Sequence, residues 1–169
     1  MSISMYEAAV PTMSHMLGNL STIVGRAAEH AEARHIDPAA LLGARLFPDM
    51  FPFVRQVQVA TDQAKAGVAR LAGIEIPRYP DNETSFEALQ ARIVRTIAFL
   101  DGIEARRFDG SEERRIALPV HDATLETTGR DYLFGRVLPN FYFHVATACA
   151  ILRHNGVEIG KMDYLGGSE

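Results

Sequence analysis

His144 is an imidazole set in the middle of an apolar, aromatic-rich run, LPNFYFHVATACAILRHNG, between positions 138 and 156. On a helix, Asn140 at i−4 and Thr147 at i+3 share its flank. A buried polar group left without a partner costs about 1–3 kcal/mol. Three on one flank therefore bond one another, bound water or a side chain from a neighbouring helix. Two readings follow: a structural hydrogen-bond network with His144 neutral, or a small-molecule pocket that His144 helps to line. The segment PDMFPFVRQVQVATDQAK supplies partners. Asp49 and Gln56 lie seven apart on the same side of its apolar stripe. Gln56 is the better pocket candidate, since an amide both donates and accepts. Asp49 has an alternative role as the cap of a helix restarting after Pro48, and Arg45 is one turn away for pairing. Arg55, Asp62 and Lys65 fall on the outer side by periodicity.

Metal chemistry needs ligands that share a face, three or four positions apart, plus partners from facing helices. The six histidines are His15, His30, His35, His121, His144 and His154, and no pair has that spacing. A closed histidine-rich site is not supported, and His144 is the only candidate ligand; a divalent metal is disfavoured. Cys149 has no basic neighbour in sequence and reads as an inert, small core residue. No G-x-S-x-G, Walker A or G-x-G-x-x-G motif occurs. These residues complete no catalytic set, and whether the chain is an enzyme stays open.

Composition narrows the class. The chain has 169 residues, 47% hydrophobic and 22% charged, which suits one domain with a real core. Its formal charge is −4, and the Arg106–Arg107 and Arg114–Arg115 pairs are diluted by Asp109, Glu112 and Glu113, so nucleic acid is not an expected partner. One cysteine allows no internal disulfide and fits a reducing compartment. No secretory signal pattern and no uninterrupted run of about 18 apolar residues occurs, so the expectation is a cytoplasmic protein without a membrane span.

Four long helical segments must position these residues. The first runs from about Met5 to Arg34, with Pro11 bending it or delaying its start. Its other face carries His15, Asn19, Thr22 and Arg26, read as a solvated stripe. The second starts at the Asp37–Pro38 cap, breaks near Leu46–Met50 and continues to Ala72 before Gly73. IEIPRYPDNETS is a loop. The third begins at Thr84 or Ser85 and fades near Arg106. RRIALPV and ATLETTG flank His121–Asp122 as a β-hairpin. The fourth begins at Thr128 and Asp131, kinks at Pro139 and stops at Asn155–Gly156, with Phe134, Leu138, Phe141, Val145, Ala148 and Leu152 as its densest face. The tail lies along the helices. The pattern is an all-α four-helix bundle with a small β-hairpin between helices 3 and 4.

The segments SMYEAAVP, ARLFPDMFPFVRQVQVATDQAKAGVARLAG and PNFYFHVATACAILRHNGVEIGKMDYLG resemble the bacterial DUF1993 family, which is grouped with the DinB/YfiT-like metalloenzymes. The resemblance covers nearly the whole chain. It implies a single domain over 1–169 with a right-handed, up-down-down-up bundle, and a homodimer. Relatives in the wider superfamily include transferases and isomerases that use mycothiol or bacillithiol with a divalent metal. Their metal is held by a histidine of the second helix and an H-x-x-x-H pair of the fourth. His144 matches one member of that pair. Ala148 stands at its i+4 position and Asn140 at i−4, and on the second helix Asp49 or Gln56 stands where a histidine would be.

Overall fold

The computed structural model describes residues 3–120 and 123–167. His121 and Asp122, at the expected hairpin tip, lie outside the described residues. The protein is mostly helical with one small two-stranded sheet.

Helix α1 (Met5–Ala33) opens on a capping box: Ser4 Oγ accepts the Glu7 amide, and the Glu7 carboxylate accepts the Ser4 amide. Pro11 does not delay it. The missing Pro11 N–H frees the Glu7 carbonyl, which instead accepts the Thr12 hydroxyl at 3.1 Å. Short α2 (Pro38–Leu42) starts where Asp37 caps the Ala39 amide. The chain then breaks, and α3 (Phe53–Ala72) begins behind Pro52 and ends at Gly73, whose φ of +66° is glycine's region. Helix α4 (Phe86–Asp101) is capped by Ser85. It stops short of the expected Arg106, and a separate 3₁₀ turn covers Ala105–Phe108.

Strands β1 (Arg115–Val120) and β2 (Ala123–Thr128) pair antiparallel, with Arg115 opposite Thr128 and Leu118 opposite Leu125. Ile116 and Leu118 are buried, so β1 seals one edge of the core. Thr128 caps α5 (Gly129–Tyr132) by accepting the Asp131 amide. A π-helical turn over Leu133–Val137 leads into α6 (Leu138–His154). Pro139 sits in the first turn of α6, where its missing amide is harmless. The π turn holds more residues per turn than an α-helix. The apolar stripe therefore steps by four through Leu133, Val137 and Phe141, and Phe134, expected on the buried face, is exposed.

Contacts fix the directions of the long helices. Ser14 bonds Asp101 while Gln90 bonds the Ser21 carbonyl, so α1 and α4 run antiparallel. Phe53 meets Phe86 and Thr61 meets Arg92, so α3 and α4 run parallel. Gln56 meets His144 and Arg70 meets Tyr132, so α3 and α6 run antiparallel. The last pair approaches closely at Gly67: a Cβ there would lie 2.4 Å from a Val137 methyl. Phe53, Phe141, Met13, Leu17 and Leu20 fill the space between the helices.

The tail ends in α7 (Lys161–Leu165), which lies on α1. Asp163 pairs with Arg26, and Asn19 donates to the Tyr164 carbonyl at 3.0 Å. The His15–Arg26 face of α1, expected in solvent, is thus partly covered by the tail. A second difference concerns α3. Lys65 is buried, and Asp62 is partly so, because the loop after Gly73 folds back to bring Tyr79, Asp81 and Glu83 over them.

Candidate functional site

The facing surfaces of α3 and α6 bring together two of the five residues singled out from sequence. Gln56 and His144 are both buried, and Gln56 Oε1 lies 2.6 Å from His144 Nδ1. The Gln56 amide nitrogen donates to the Phe51 carbonyl at 3.0 Å. That bond leaves Oε1 as the acceptor, so Nδ1 carries the imidazole proton and Nε2 keeps a lone pair. Nε2 has no hydrogen-bond partner among the described residues, yet it is not one of the buried unpartnered atoms. It therefore reaches solvent, although His144 as a whole is only 8% exposed.

Two half-exposed aromatic rings flank the imidazole. Phe51 stacks on it at 6.4 Å between centroids, and Phe143 meets it edge-on at 5.3 Å. The His144 pKa is lowered, first by burial and then by the positive charge of Arg55, so the ring is held neutral. Arg55 itself is occupied: it lies over the Phe51 ring at 5.7 Å, donates to Gln58 and pairs with Asp81.

The other three residues stand apart. Asn140 is exposed, and Thr147 is buried but donates to the Phe143 carbonyl at 2.7 Å. Neither bonds His144 among the described residues. Asp49 is exposed on the turn between α2 and α3. Arg45 donates to the Pro48 carbonyl rather than to Asp49, and Pro52, not Asp49, occupies the cap position of α3. Cys149 is half-buried, and burial pushes its thiol up to about 12, as expected of an inert residue.

A divalent metal does not fit these residues. His144 has no second ligand beside it, since the fully buried Ala148 offers no donor, and no group of three His, Cys, Asp or Glu among the described residues could hold an ion. No described helix is long and apolar enough to cross a membrane.

Sequence reasoning missed a larger polar cluster between α3 and α4. The Arg92 guanidinium is buried and meets five acceptors: Thr61 Oγ1 at 2.7 Å, the Pro80 carbonyl at 2.9 Å, Glu83 at 3.0 Å, Asp62 at 2.8 Å and Asp81 at 3.1 Å. Lys65 pairs with Asp62 at 2.9 Å and lies 4.0 Å from the Tyr79 ring centre. One signal was available: Arg92 shares the face of Leu89 and Ile93, where a charge demands partners. Three cavities lie elsewhere: one of about 290 Å³ between α6 and the tail beside Cys149, one of about 290 Å³ beside Tyr79, and a groove of about 990 Å³ between the start of α1 and residues 105–112. His144 lines none of the three.

This architecture has a solved counterpart. The crystal structure of a DinB family member protein from Shewanella denitrificans superposes with a TM-score of 0.89 at 41% identity, covering 96% of this chain and 92% of that one. The fold is thus DinB-like. Residues 5–165 match the family described as a domain of unknown function, DUF1993, and the chain belongs to that family. No curated protein matches it.

Proposed function

We propose that this chain is a DinB-like four-helix bundle, up-down-down-up, that binds a small molecule at His144 and whose metal site is degenerate. One observation carries the reading: Gln56 fixes the imidazole tautomer from behind, while Nε2 keeps a lone pair at the surface between Phe51 and Phe143. Gln56 occupies the second-helix ligand place that the resemblance implies and substitutes a hydrogen bond for a metal bond. Thr147 supports the α6 backbone beside the site, and Asn140 and Asp49 stand at its exposed margin as residues a ligand could reach. The test is a fragment screen by ligand-observed NMR. At least one fragment should bind the wild-type protein and not His144→Ala, with the melting temperature of the variant within a few degrees. A screen whose hits all bind both proteins equally would sink the reading.

A second reading has its own support. Leu46, Phe47, Phe51 and Phe143 are large apolar side chains left exposed, which favours a non-catalytic bundle acting through a homodimer or a protein partner. Sedimentation equilibrium distinguishes the homodimer: Phe47→Glu should shift the wild-type protein from dimer to monomer. In either reading the protein is cytoplasmic, with no role for nucleic acid. Of the two arginine pairs, Arg106 pairs with Glu104, Arg115 with Glu126, and Arg114 donates to the Leu71 carbonyl.

A further inference from the structure

The surroundings of His144 Nε2 select among donors. His144 is only 8% exposed and lies beside the half-exposed Phe51 and Phe143 rings, so a ligand that reaches Nε2 meets those rings as well. A carboxylate is repelled by the lone pair and finds no open cation, since Arg55 is engaged by Asp81 and Gln58. A neutral O–H donor suits an acceptor nitrogen that has no open charge beside it. The two flanking rings, one stacked on the imidazole and one edge-on to it, offer apolar contact to a flat body.

We propose that the site takes a phenol: its hydroxyl donates to His144 Nε2 and its ring lies against Phe51 and Phe143. This rests on the ligand-binding reading above and narrows it to one class. Gln56 is then a positioning residue, since it holds the acceptor nitrogen outward without touching the ligand.

The probe is p-nitrophenol, measured by equilibrium dialysis of the full chain at slightly acidic pH, where the phenol is protonated. The comparison ligand is p-nitroanisole, the same ring with the hydroxyl methylated. The phenol should bind at least about tenfold more tightly than the anisole, the ratio expected of roughly one hydrogen bond. Benzylamine and benzoate should bind more weakly than the phenol. His144→Phe should erase the preference for phenol over anisole. Because that substitution alters a buried residue, Phe143→Ala, an exposed position, provides a second arm and should weaken the phenol several-fold without loss of folding. Equal binding of phenol and anisole overturns the proposal. So does a preference that survives in His144→Phe, or an undiminished affinity in Phe143→Ala. If p-nitrophenol fails to bind while the fragment screen still yields His144-dependent hits, the phenol falls and the ligand-binding reading stands.

Discussion

Two of the polar contacts that helix α3 makes with its neighbours are built differently. Toward α4, every nitrogen of the Arg92 guanidinium donates to an acceptor and the group also pairs with Asp81, and Asp62 answers Lys65 as well. Toward α6, one amide meets one imidazole and one ring nitrogen remains unmatched. The first arrangement has no valence left for a ligand and serves to pin the loop carrying Tyr79, Asp81 and Glu83 onto the helices. The second is satisfied on its inner side alone. The difference teaches that a cluster of buried charges can be wholly engaged within the fold while a single, nearly buried imidazole keeps one nitrogen open to solvent.

Four experiments press on that contrast. The largest effect belongs to Arg92→Met. It leaves Asp62, Asp81 and Glu83 with only Lys65, Arg55 and Gln58, and taking one partner from a buried ion pair costs up to about 3–5 kcal/mol, less where the carboxylates are partly exposed as Asp62 and Asp81 are. Urea denaturation should show a loss in that range, and a loss under about 1 kcal/mol would mean that water serves the carboxylates as well as Arg92 does. Next is Gln56→Leu, which removes the acceptor of the His144 Nδ1 proton. A loss of about 1–3 kcal/mol is expected, together with lost phenol selectivity because Nε2 is no longer oriented.

The third concerns pH. The folded pKa of His144 lies below its ordinary value of 6.5. The unfolded chain therefore binds a proton first as pH falls, so this contribution to stability is complete above about 6.5 and is lost as pH drops from there toward the folded pKa. Denaturation midpoints should fall less steeply below that point in His144→Gln than in the wild type. Identical slopes would mean that the ring is as free to charge in the fold as in water. The smallest effect tests the opposite case, an unmet polar atom away from the surface. Ser111 Oγ is fully buried and has no partner. Ser111→Ala should leave stability unchanged or raise it by up to about 1 kcal/mol, read from the melting temperature. A clear loss would indicate that the hydroxyl is satisfied after all.

Much of the framework was legible because local chemistry decides it. Ser85, Thr128 and the Asp37–Pro38 pair are caps by virtue of their own side chains, and the hairpin follows from the strand pattern around positions 121–122. Gln56 was legible as a partner of His144 since the stripe of α3 points that flank at α6. What escaped depends on what lies across from a residue. Periodicity places Lys65 and Asp62 outside α3, but it is blind to a loop that returns over them. Asn140 and His144 are one turn apart on one flank, yet only the latter is covered by α3. The π turn was hidden too, because one wide turn leaves no local signature and changes only which side chains, Phe134 or Leu133 and Val137, end up inside.

The placement of α7 bears on how the chain is made. Asn19 reaches its partner Tyr164 across 145 positions, and Ser14 reaches Asp101 across 87. Helix α1 is made before the elements that cover it: α4 follows only after α3, and α7, which covers its outer side, only after α6. For a helical protein these are distant closures, and distant closures slow folding. Until α4 and α6 have followed, Met13, Leu17 and Leu20 lack part of their cover.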